Sequence, residues 1–228
     1  GRSALKLVAG SAFRAPNAYE RYYAFDGLYA ANPALNAERV ATVDLDYSTL
    51  LGDSTRLGVG AYRYRASDLI AQALNADGLL QFVNLASASA HGVDAEVEHA
   101  LRRGLRLRGV WSWQRLSDAH GAPIANSPSH VVKAAVLWRL AGAGWTLGTE
   151  AVRVDRRRTF AGEVPAYVQT NLTLASPAMR RGLDLSLSVF NLFDRDIQDP
   201  VLAGGLPGDS DRIPQPGRGW RLKLGYAF

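Results

Sequence analysis

The residues best suited to bind a small molecule lie in one segment near the start of the chain, Ala15–Ala37. Its aromatic side chains are Tyr19, Tyr22, Tyr23, Phe25 and Tyr29. Charged residues stand among them, namely Glu20, Arg21 and Asp26. Tyrosine presents a large contact area and a hydroxyl group at low entropic cost, and loops on a rigid scaffold commonly carry binding residues. We therefore expect a ligand-contacting loop, part of which packs on the rim of its scaffold.

Catalytic and metal-binding chemistry is not indicated by the rest of the chain. The histidines lack the i, i+4 spacing of a helical metal site; they are His91, His99, His120 and His130. Ser127 and Ser129 lie beside His130, but adjacency in sequence is not the geometry of a catalytic triad, and no orienting acid is evident. The chain has no cysteine. We expect no catalytic residue, no metal site and no cofactor.

The elements that must position the loop are β-strands, because apolar and polar residues alternate along most of the chain. The last residues show the pattern most clearly, with one apolar face made of Trp220, Leu222, Leu224, Tyr226 and Phe228. Ending a chain on such a strand is typical of outer-membrane β-barrels. Ten strands are predicted in all: Ser3–Arg14, Glu38–Leu50, Arg56–Asp68, Phe82–Ala100, Leu105–Arg115, His130–Leu140, Trp145–Asp155, Ala166–Ala175, Leu183–Asp194 and Arg218–Phe228.

The third predicted strand is the weakest. Continuing the phase of Leu57 and Val59 places Arg63 and Arg65 on the apolar face, so either a bulge or emergence from a membrane is needed there. Charges on the polar faces of the next two strands are complementary. The acidic row Asp94, Glu96 and Glu98 and the basic row Arg106 and Arg108 are expected to pair across one hairpin.

The predicted connections alternate in length. Short ones lie at Leu51–Ser54, Leu101–Gly104, Ala141–Gly144 and Ser176–Gly182. Long ones lie at Ala15–Ala37, Leu69–Gln81, Leu116–Ser129, Arg156–Pro165 and Arg195–Gly217. Short periplasmic turns and longer external loops are typical of bacterial outer-membrane barrels. The last strand then runs towards the periplasm, and aromatic residues gather near both ends of the strands, as at the two membrane interfaces.

Composition fits an all-β, antiparallel transmembrane β-barrel. Hydrophobic residues make up 47% and charged residues 21% of the chain, with a mean hydropathy of −0.09. A barrel strand needs only about 9–11 residues, half of them apolar, so a low hydropathy is no objection. A soluble β-sandwich also alternates, but it predicts neither the alternating connections nor two aromatic belts.

The chain carries 26 Lys and Arg residues against 21 Asp and Glu residues. The arginines are dispersed among apolar residues, so a nucleic-acid partner is not indicated. One run, Arg156-Arg157-Arg158, lies in a predicted loop, where it is either solvated or able to bind phosphates of lipopolysaccharide.

Several short motifs, in their order and spacing, resemble those of TonB-dependent outer-membrane receptors. They are Phe13-Arg14-Ala15-Pro16, Tyr19-Glu20-Arg21-Tyr22, Asn32-Pro33-Ala34-Leu35, Asp68-Leu69-Ile70, Val83-Asn84-Leu85, Gly92-Val93-Asp94-Ala95-Glu96, Val189-Phe190-Asn191-Leu192-Phe193-Asp194-Arg195, and the closing Gly225-Tyr226-Ala227-Phe228. The resemblance covers essentially the whole chain. Lys223 departs from it, since the assembly signal of such barrels tends to carry glycine there.

The resemblance implies a barrel of about 22 strands filled by an N-terminal plug. Residues 1–228 are then the C-terminal part of that barrel, with the plug and about twelve earlier strands absent. It further implies a bacterial outer-membrane receptor for a scarce nutrient, energised by a TonB-type protein through the plug. Tyr226 and Phe228 would form the signal read by the barrel assembly machinery. The alternative from the strands alone is a self-contained ten-stranded outer-membrane porin or barrel enzyme.

The candidate ligand-binding residues belong to the external loop and its flank: Arg14, Tyr19, Glu20, Arg21, Tyr22, Tyr23 and Tyr29. A ferric siderophore, or a cobalamin-type ligand, is favoured over haem. Haem receptors of this family commonly carry a histidine between the two loop motifs, and Asn17–Ala31 contains none. Tyrosine also ligates haem iron, so haem stays open.

Overall fold

The computed structural model describes residues 2–101, 104–142, 144–177, 182–201 and 210–226. All ten predicted strands are present in these ranges and form one antiparallel sheet: β1 (Arg2–Arg14), β3 (Glu38–Leu51), β4 (Thr55–Leu74), β5 (Leu80–Leu101), β6 (Leu105–Asp118), β7 (His130–Arg139), β8 (Thr146–Val154), β11 (Tyr167–Ala175), β12 (Leu183–Phe190) and β15 (Gly219–Tyr226). The shorter elements lie in the connections: α1 (Ala18–Tyr22), β2 (Tyr29–Ala30), β9 (Arg157–Arg158), β10 (Glu163–Val164), β13 (Gln198–Pro200) and β14 (Arg212–Pro214).

The long strands follow one another around the sheet in chain order, so each lies beside the one before it. The sheet is open, because in the described ranges β1 pairs with β3 alone and β15 with β12 alone. A self-contained ten-stranded barrel would need β1 to pair with β15. No helix in the described part of the chain is long and apolar enough to cross a membrane.

The register gives the sheet two different faces. On the outer face, one row of neighbours runs Leu7, Leu45, Ala61, Val93 and Trp113. The adjacent row on the inner face runs Lys6, Asp46, Gly60, Asp94 and Ser112.

Apolar side chains of the outer face are exposed. Leu5 and Leu7 are 71% and 70% exposed. A large exposed apolar face is costly in water, so this is the face that lipid covers in a membrane.

The expected cross-strand ion pairs are confirmed on the inner face. Arg108 Nε lies 2.8 Å from Glu96 Oε1, and Arg106 Nε lies 3.5 Å from Glu98 Oε1. Each pair joins β5 to β6 on the diagonal, since Glu98 itself stands opposite Arg108 in the register. The predicted charged rows therefore brace one hairpin of the wall.

The two ends of the sheet differ as expected, although one long connection was predicted wrongly. We call the end with the Ala15–Ala37 segment the loop end and the opposite one the turn end. Residues 69–81 were predicted to be a loop, yet β4 has 20 residues and β5 has 22, and most of this segment is strand. The actual turn is tight, because Asn75 Oδ1 accepts hydrogen bonds from the amides of Asp77 and Leu79, each at 3.0 Å, and Gly78 has φ of 77°.

Strands of this length project beyond a membrane. At roughly 3.3 Å per residue β4 is more than twice as long as an apolar band of about 25 Å is tall. We call residues 69–84 the extension hairpin. A bulge begins it, with register shifts between Ala66 and Ile70 and φ of 57° at Asp68. Arg63 and Arg65 precede the bulge and stay on the outer face, which fits the explanation that the strand emerges from the membrane.

The buried side chains of the described residues lie mainly near the loop end. They are Leu35, Val164, Val189, Ile197, Pro200, Arg157, Thr159 and Asn191. Strand β12 ends at Phe190, four residues before the predicted boundary at Asp194, and Asn191 follows it. Its Oδ1 accepts from the amide of Arg195 and its Nδ2 donates to the Arg195 carbonyl, both at 2.9 Å, which closes a turn.

Candidate functional site

A short helix opens the candidate ligand-binding loop. Helix α1 begins after Asn17, whose Oδ1 accepts from the Glu20 amide at 2.8 Å, while Glu20 Oε2 accepts from the Asn17 amide at 2.8 Å. This reciprocal capping box satisfies two amides that a helix start otherwise leaves unpaired. The sequence analysis missed the helix, and the Asn-x-x-Glu spacing is the signal that would have found it.

Arg14 joins the helix to the barrel wall. Its Nε donates to Glu38 Oε2 at 2.6 Å, and its Nη1 donates to Glu20 Oε1 at 2.9 Å. The other oxygen of Glu38 accepts from the Ile70 amide at 2.9 Å, so the extension hairpin is tied in as well. We call Arg14, Glu20 and Glu38 the carboxylate clamp.

The clamp changes the ionisation of its members. Hydrogen bonds from Arg14 and from the Ile70 amide hold the pKa of Glu38 at about 2, well below its ordinary value. The hydrogen bonds to Glu38 and Glu20 raise the pKa of Arg14 above its ordinary value. Arg14 and Glu20, both candidate ligand-binding residues, thus neutralise one another's charge in this structure.

Arg21, a third charged candidate, is hydrogen-bonded within the loop. Its Nη2 donates to the carbonyl of Leu35 at 3.0 Å, and its own carbonyl accepts from the Asn32 amide at 2.9 Å. The side chain is half-buried, and its Nε is buried without a hydrogen-bond partner in the described residues. Arg21 therefore stabilises the return of the loop towards β3.

Aromatic rings gather above this framework. Ring centroids lie 4.5 Å apart for Tyr19 and Tyr23, 5.1 Å for Tyr23 and Tyr29, and 5.7 Å for Tyr19 and Phe82. We call these four residues the aromatic cluster. Tyr22 is 61% exposed beside it and Tyr19 is 53% exposed. The structure thus brings together three of the four candidate tyrosines and adds Phe82, which sequence reasoning did not select.

Phe82 comes from the extension hairpin, which holds the loop through backbone and side-chain bonds. Strand β2 pairs in parallel with the start of β5. Gln81 Nε2 donates to the Ala31 carbonyl and Asn32 Nδ2 donates to the Phe82 carbonyl, each at 2.8 Å. About fifty residues separate these partners in the sequence, so no local pattern could reveal the contact.

Asn84 completes the attachment at the base of the hairpin. Its Nδ2 donates to the carbonyls of Asp68 and Asn36, at 2.6 and 3.1 Å, and its Oδ1 accepts from the Asn36 amide at 2.8 Å. One side chain therefore links the bulge of β4, the base of the extension hairpin and the end of the loop. The loop and the hairpin fold as one unit.

A second group of loops is held by Arg157. Its Nη2 donates to Asp199 Oδ1 at 2.7 Å and to the Gln198 carbonyl at 2.9 Å, and its Nη1 donates to Asn126 Oδ1 at 3.1 Å. The guanidinium also lies 5.7 Å from the ring centroid of Tyr167. Arg157 is only 8% exposed, so for this residue both predicted roles, solvated arginine and phosphate ligand, are wrong. It joins three connections at the loop end.

The histidines lie apart. Trp111 Nε1 donates to His130 Nδ1 at 3.2 Å, which turns that ring towards the outer face and away from a hydrolase-like site with Ser127 and Ser129. His99 Nδ1 lies 2.7 Å from Thr55 Oγ1. Among the described residues no group of three metal-binding side chains is found.

The structure describes one of the two candidate assembly-signal residues. Tyr226 ends β15 opposite Leu183 and is 59% exposed on the outer face. Phe228 lies outside the described residues.

An open antiparallel meander with an apolar outer face, a charged inner face and folded loops at one end is the wall of a transmembrane β-barrel. Residues 3–192 match the family described as TonB dependent receptor-like, β-barrel. The chain belongs to this family, which places it with bacterial outer-membrane proteins. The family and the solved neighbours are receptors and transporters, not enzymes.

Solved structures share the fold at low sequence identity. The ferric-catecholate import receptor Fiu of E. coli K12 is 16% identical, with a TM-score of 0.76 over 99% of this chain and 33% of that one. The ferric enterobactin receptor of Pseudomonas aeruginosa is 18% identical, with a TM-score of 0.78 over 100% and 38%. The copper transporter OprC is 19% identical, with a TM-score of 0.77 over 99% and 37%.

The chain thus spans little more than a third of the length of these structures. No curated protein sequence matches it.

Proposed function

We propose that the chain forms the C-terminal part of the barrel of an energised outer-membrane receptor, and that the receptor takes up a ferric siderophore. The aromatic cluster carries the proposal, because it is a ring surface held at the loop end by the carboxylate clamp and the extension hairpin. A cobalamin-type ligand is the second cargo. The family supports the receptor, while the cargo has to be argued from the site.

The contacts of the arginines near the aromatic cluster favour a ligand that is recognised by the tyrosine rings. Arg14 is already paired with two carboxylates, and the half-buried Arg21 donates to a loop carbonyl, so both guanidinium groups beside the cluster are engaged in holding the loop. Tyr19 and Tyr22 offer exposed ring faces and hydroxyl groups. Such a surface suits a flat chelate bearing aromatic groups, through stacking and hydrogen bonds. The neighbours include receptors named for ferric catecholate and ferric enterobactin as well as a copper transporter, so the shared fold does not select among cargoes.

Haem is the less favoured cargo. Residues 17–31 contain no histidine, and the described loop offers tyrosine as its only common axial ligand for haem iron. Tyr23 and Tyr29 are half-buried in ring contacts, which leaves the exposed Tyr19 and Tyr22. Tyr19 also contacts two rings of the cluster, so Tyr22 is the tyrosine best placed to reach a ligand.

The remaining partners follow from the same proposal. A TonB-type protein would act through a plug in the part of the receptor that precedes this chain, and the barrel assembly machinery would read Tyr226 and Phe228. Lipid and lipopolysaccharide would surround the outer face.

Binding to the full-length receptor tests the proposal. Purified receptor is titrated with ferric catecholate and hydroxamate siderophores, cobalamin and haemin. Tyr22→Ala should weaken siderophore binding about three- to tenfold through lost stacking, and Tyr22→Phe should bind nearly as the wild type does. Tyr47→Phe, at the turn end, is the matched control. A Soret shift with haemin at micromolar concentration that disappears in Tyr22→Phe would show that the cargo is haem and not a siderophore. Identical siderophore affinities in all variants would show that Tyr22 does not contact the ligand.

A further inference from the structure

The extension hairpin has one edge that no described element covers. Beyond the pairing of Arg39 with Ser67, β3 no longer runs beside β4, so residues 69–74 pair with β5 on one side alone. The opposite edge of the hairpin, which belongs to β5, is covered at Leu80 and Gln81 by β2. We call residues 69–74 the open edge.

The pairing within the hairpin shows which backbone groups the open edge presents. The Asn75 amide donates to the Leu79 carbonyl at 2.9 Å, so the odd-numbered residues of β4 carry the hydrogen bonds to β5 in this antiparallel pair. The even-numbered residues therefore direct their amides and carbonyls away from β5. The Ile70 amide confirms this direction, because it donates to Glu38 Oε1 at 2.9 Å on the β3 side.

Gln72 and Leu74 are left with outward amides and carbonyls that have no backbone partner among the described residues. Both residues are exposed, Leu74 to 68%. Natural proteins usually blunt such an edge with charge, proline or a bulge, because it otherwise recruits another strand. The bulge of β4 lies below the open edge, and residues 69–76 contain neither charge nor proline. The open edge therefore has the form of a site for one more strand.

A second copy of the receptor does not fit this edge. Receptors in one membrane are related by rotation about the membrane normal, so a strand that runs away from the membrane does so in every copy. Antiparallel pairing of two open edges is thereby excluded. A two-fold axis along the strands faces each amide with the same amide of the copy, and this arrangement forms no hydrogen bond.

The direction in which the edge opens points to another segment of the same receptor. The open edge faces over the ends of β3 and β1, and β1 is the strand at which the described sheet stops. This chain spans about a third of the length of its solved neighbours, and the proposed parent barrel continues beyond β1. The next strand there would stand three spacings of about 4.8 Å from β4, a distance that a loop of about five residues can cross.

Strand β2 is a precedent for such an arrangement. It has two residues, comes from the connection between β1 and β3, and adds to the opposite edge of the same hairpin. A short strand from a neighbouring external connection is thus an addition that this hairpin already accepts.

We propose that, in the full-length receptor, a short strand from an external connection preceding this chain pairs with the open edge. It accepts hydrogen bonds from the amides of Gln72 and Leu74 and donates to their carbonyls, while the Ile70 amide stays with Glu38. Phe82 belongs to the same hairpin, so the added strand supports the aromatic cluster from the side opposite to β2. The inference rests on the proposed longer barrel and does not depend on the cargo.

Hydrogen exchange of the purified full-length receptor, without cargo, tests the pairing at single amides by fragmentation mass spectrometry. The amides of Gln72 and Leu74 should exchange at least about tenfold more slowly than in an unfolded peptide, as those of Ala71 and Ala73 in the β5 pairing do. Gln72→Pro removes an outward amide and no amide that pairs with β5. It should speed exchange at Leu74 at least about tenfold, whereas the matched control Gln72→Thr, which keeps the amide, should exchange there as the wild type does.

A photoreactive benzoylphenylalanine in place of Leu74 identifies the occupant. The expected product is a cross-link within one receptor molecule to a segment before residue 1. A covalent dimer would overturn the proposal in favour of a second copy, and a cross-link confined to residues 1–228 would overturn it as well. Free exchange at Gln72 and Leu74 in the wild type, with Ala71 and Ala73 protected, would show that the edge stays open.

The cargo and the paired edge can fail separately. A receptor that binds no siderophore yet protects Gln72 and Leu74 from exchange would refute the cargo and keep the paired edge. If Gln72→Pro lacks the heat-modifiable mobility of a folded barrel, the exchange pattern of the wild type and the cross-link decide the outcome.

Discussion

At the scale of single residues, two arginines that looked free in the sequence are committed to structure. Arg14 bridges Glu20 and Glu38, and Arg157 bridges three connections. Charge type and position in a loop suggested ligand binding for both. The partners of these side chains are 6 to 42 residues away, so the commitment depends on the folded loops.

The carboxylate clamp should make the loop sensitive to acid. The pKa of Glu38 is lowered in the folded state, so its contribution to stability is complete above its ordinary pKa and is lost as the pH falls towards about 2. The protection factors of the Ile70 and Glu20 amides, which are their intrinsic exchange rates at each pH divided by their observed rates, should therefore stay constant down to about pH 4.5 and fall below it. Glu38→Gln should remove this pH dependence. Protection factors that do not change with pH in the wild type would mean that the clamp does not hold the loop.

Arg157 should matter far more than its neighbour Arg156. Arg157→Ala removes a buried guanidinium that joins three connections, although its partner Asp199 is 39% exposed, and should destabilise the loop end by about 1–3 kcal/mol. Arg156 is largely exposed, and its Nη1 lies 3.7 Å from Glu163 Oε2. Arg156→Ala should therefore reduce stability by less than about 0.5 kcal/mol. Limited proteolysis of residues 156–165 in the full-length receptor compares the two. Equal resistance would contradict the central place of Arg157.

At the scale of elements, alternation predicted the strands and their faces because the two-residue period is local. Residues 69–81 were predicted to be a loop, and their pairing in a hairpin was missed, since leaving the membrane ends the alternating pattern while pairing continues. The turn chemistry of Asn75 and Gly78 was readable in the sequence, but the role of Phe82 was not. The aromatic cluster could be predicted for its loop tyrosines and not for the hairpin that supports them.

An arginine introduced into β12 should have different effects on its two faces. Leu185 stands opposite Leu224 on the outer face, and Ser186 stands opposite Lys223 on the inner face. Leu185→Arg should cost about 2–4 kcal/mol near the membrane midplane. Ser186→Arg should cost much less, since repulsion from Lys223 in a hydrated lumen is worth under about 1 kcal/mol. Reversible unfolding in lipid vesicles measures both, and similar losses would mean that the faces are assigned wrongly.

At the scale of the whole molecule, the open sheet is the dominant feature. In the described residues β1 and β15 each pair along one side, which leaves a row of backbone groups that lipid cannot satisfy. The 228-residue chain expressed alone should therefore aggregate in detergent or exchange the amides of both edge strands rapidly. Heat-modifiable, protease-resistant monomers of this chain would contradict that expectation.

Energised uptake tests the proposed function most directly. Cells that have the full-length receptor as their only route for a ferric siderophore are supplied with the radiolabelled complex, with and without a proton-motive force. We predict accumulation of iron that needs the proton-motive force, falls in Tyr22→Ala and persists in Tyr47→Phe at equal receptor levels. Accumulation that is indifferent to the proton-motive force, or equal in Tyr22→Ala and the wild type, would contradict an energised receptor that binds its cargo through this loop.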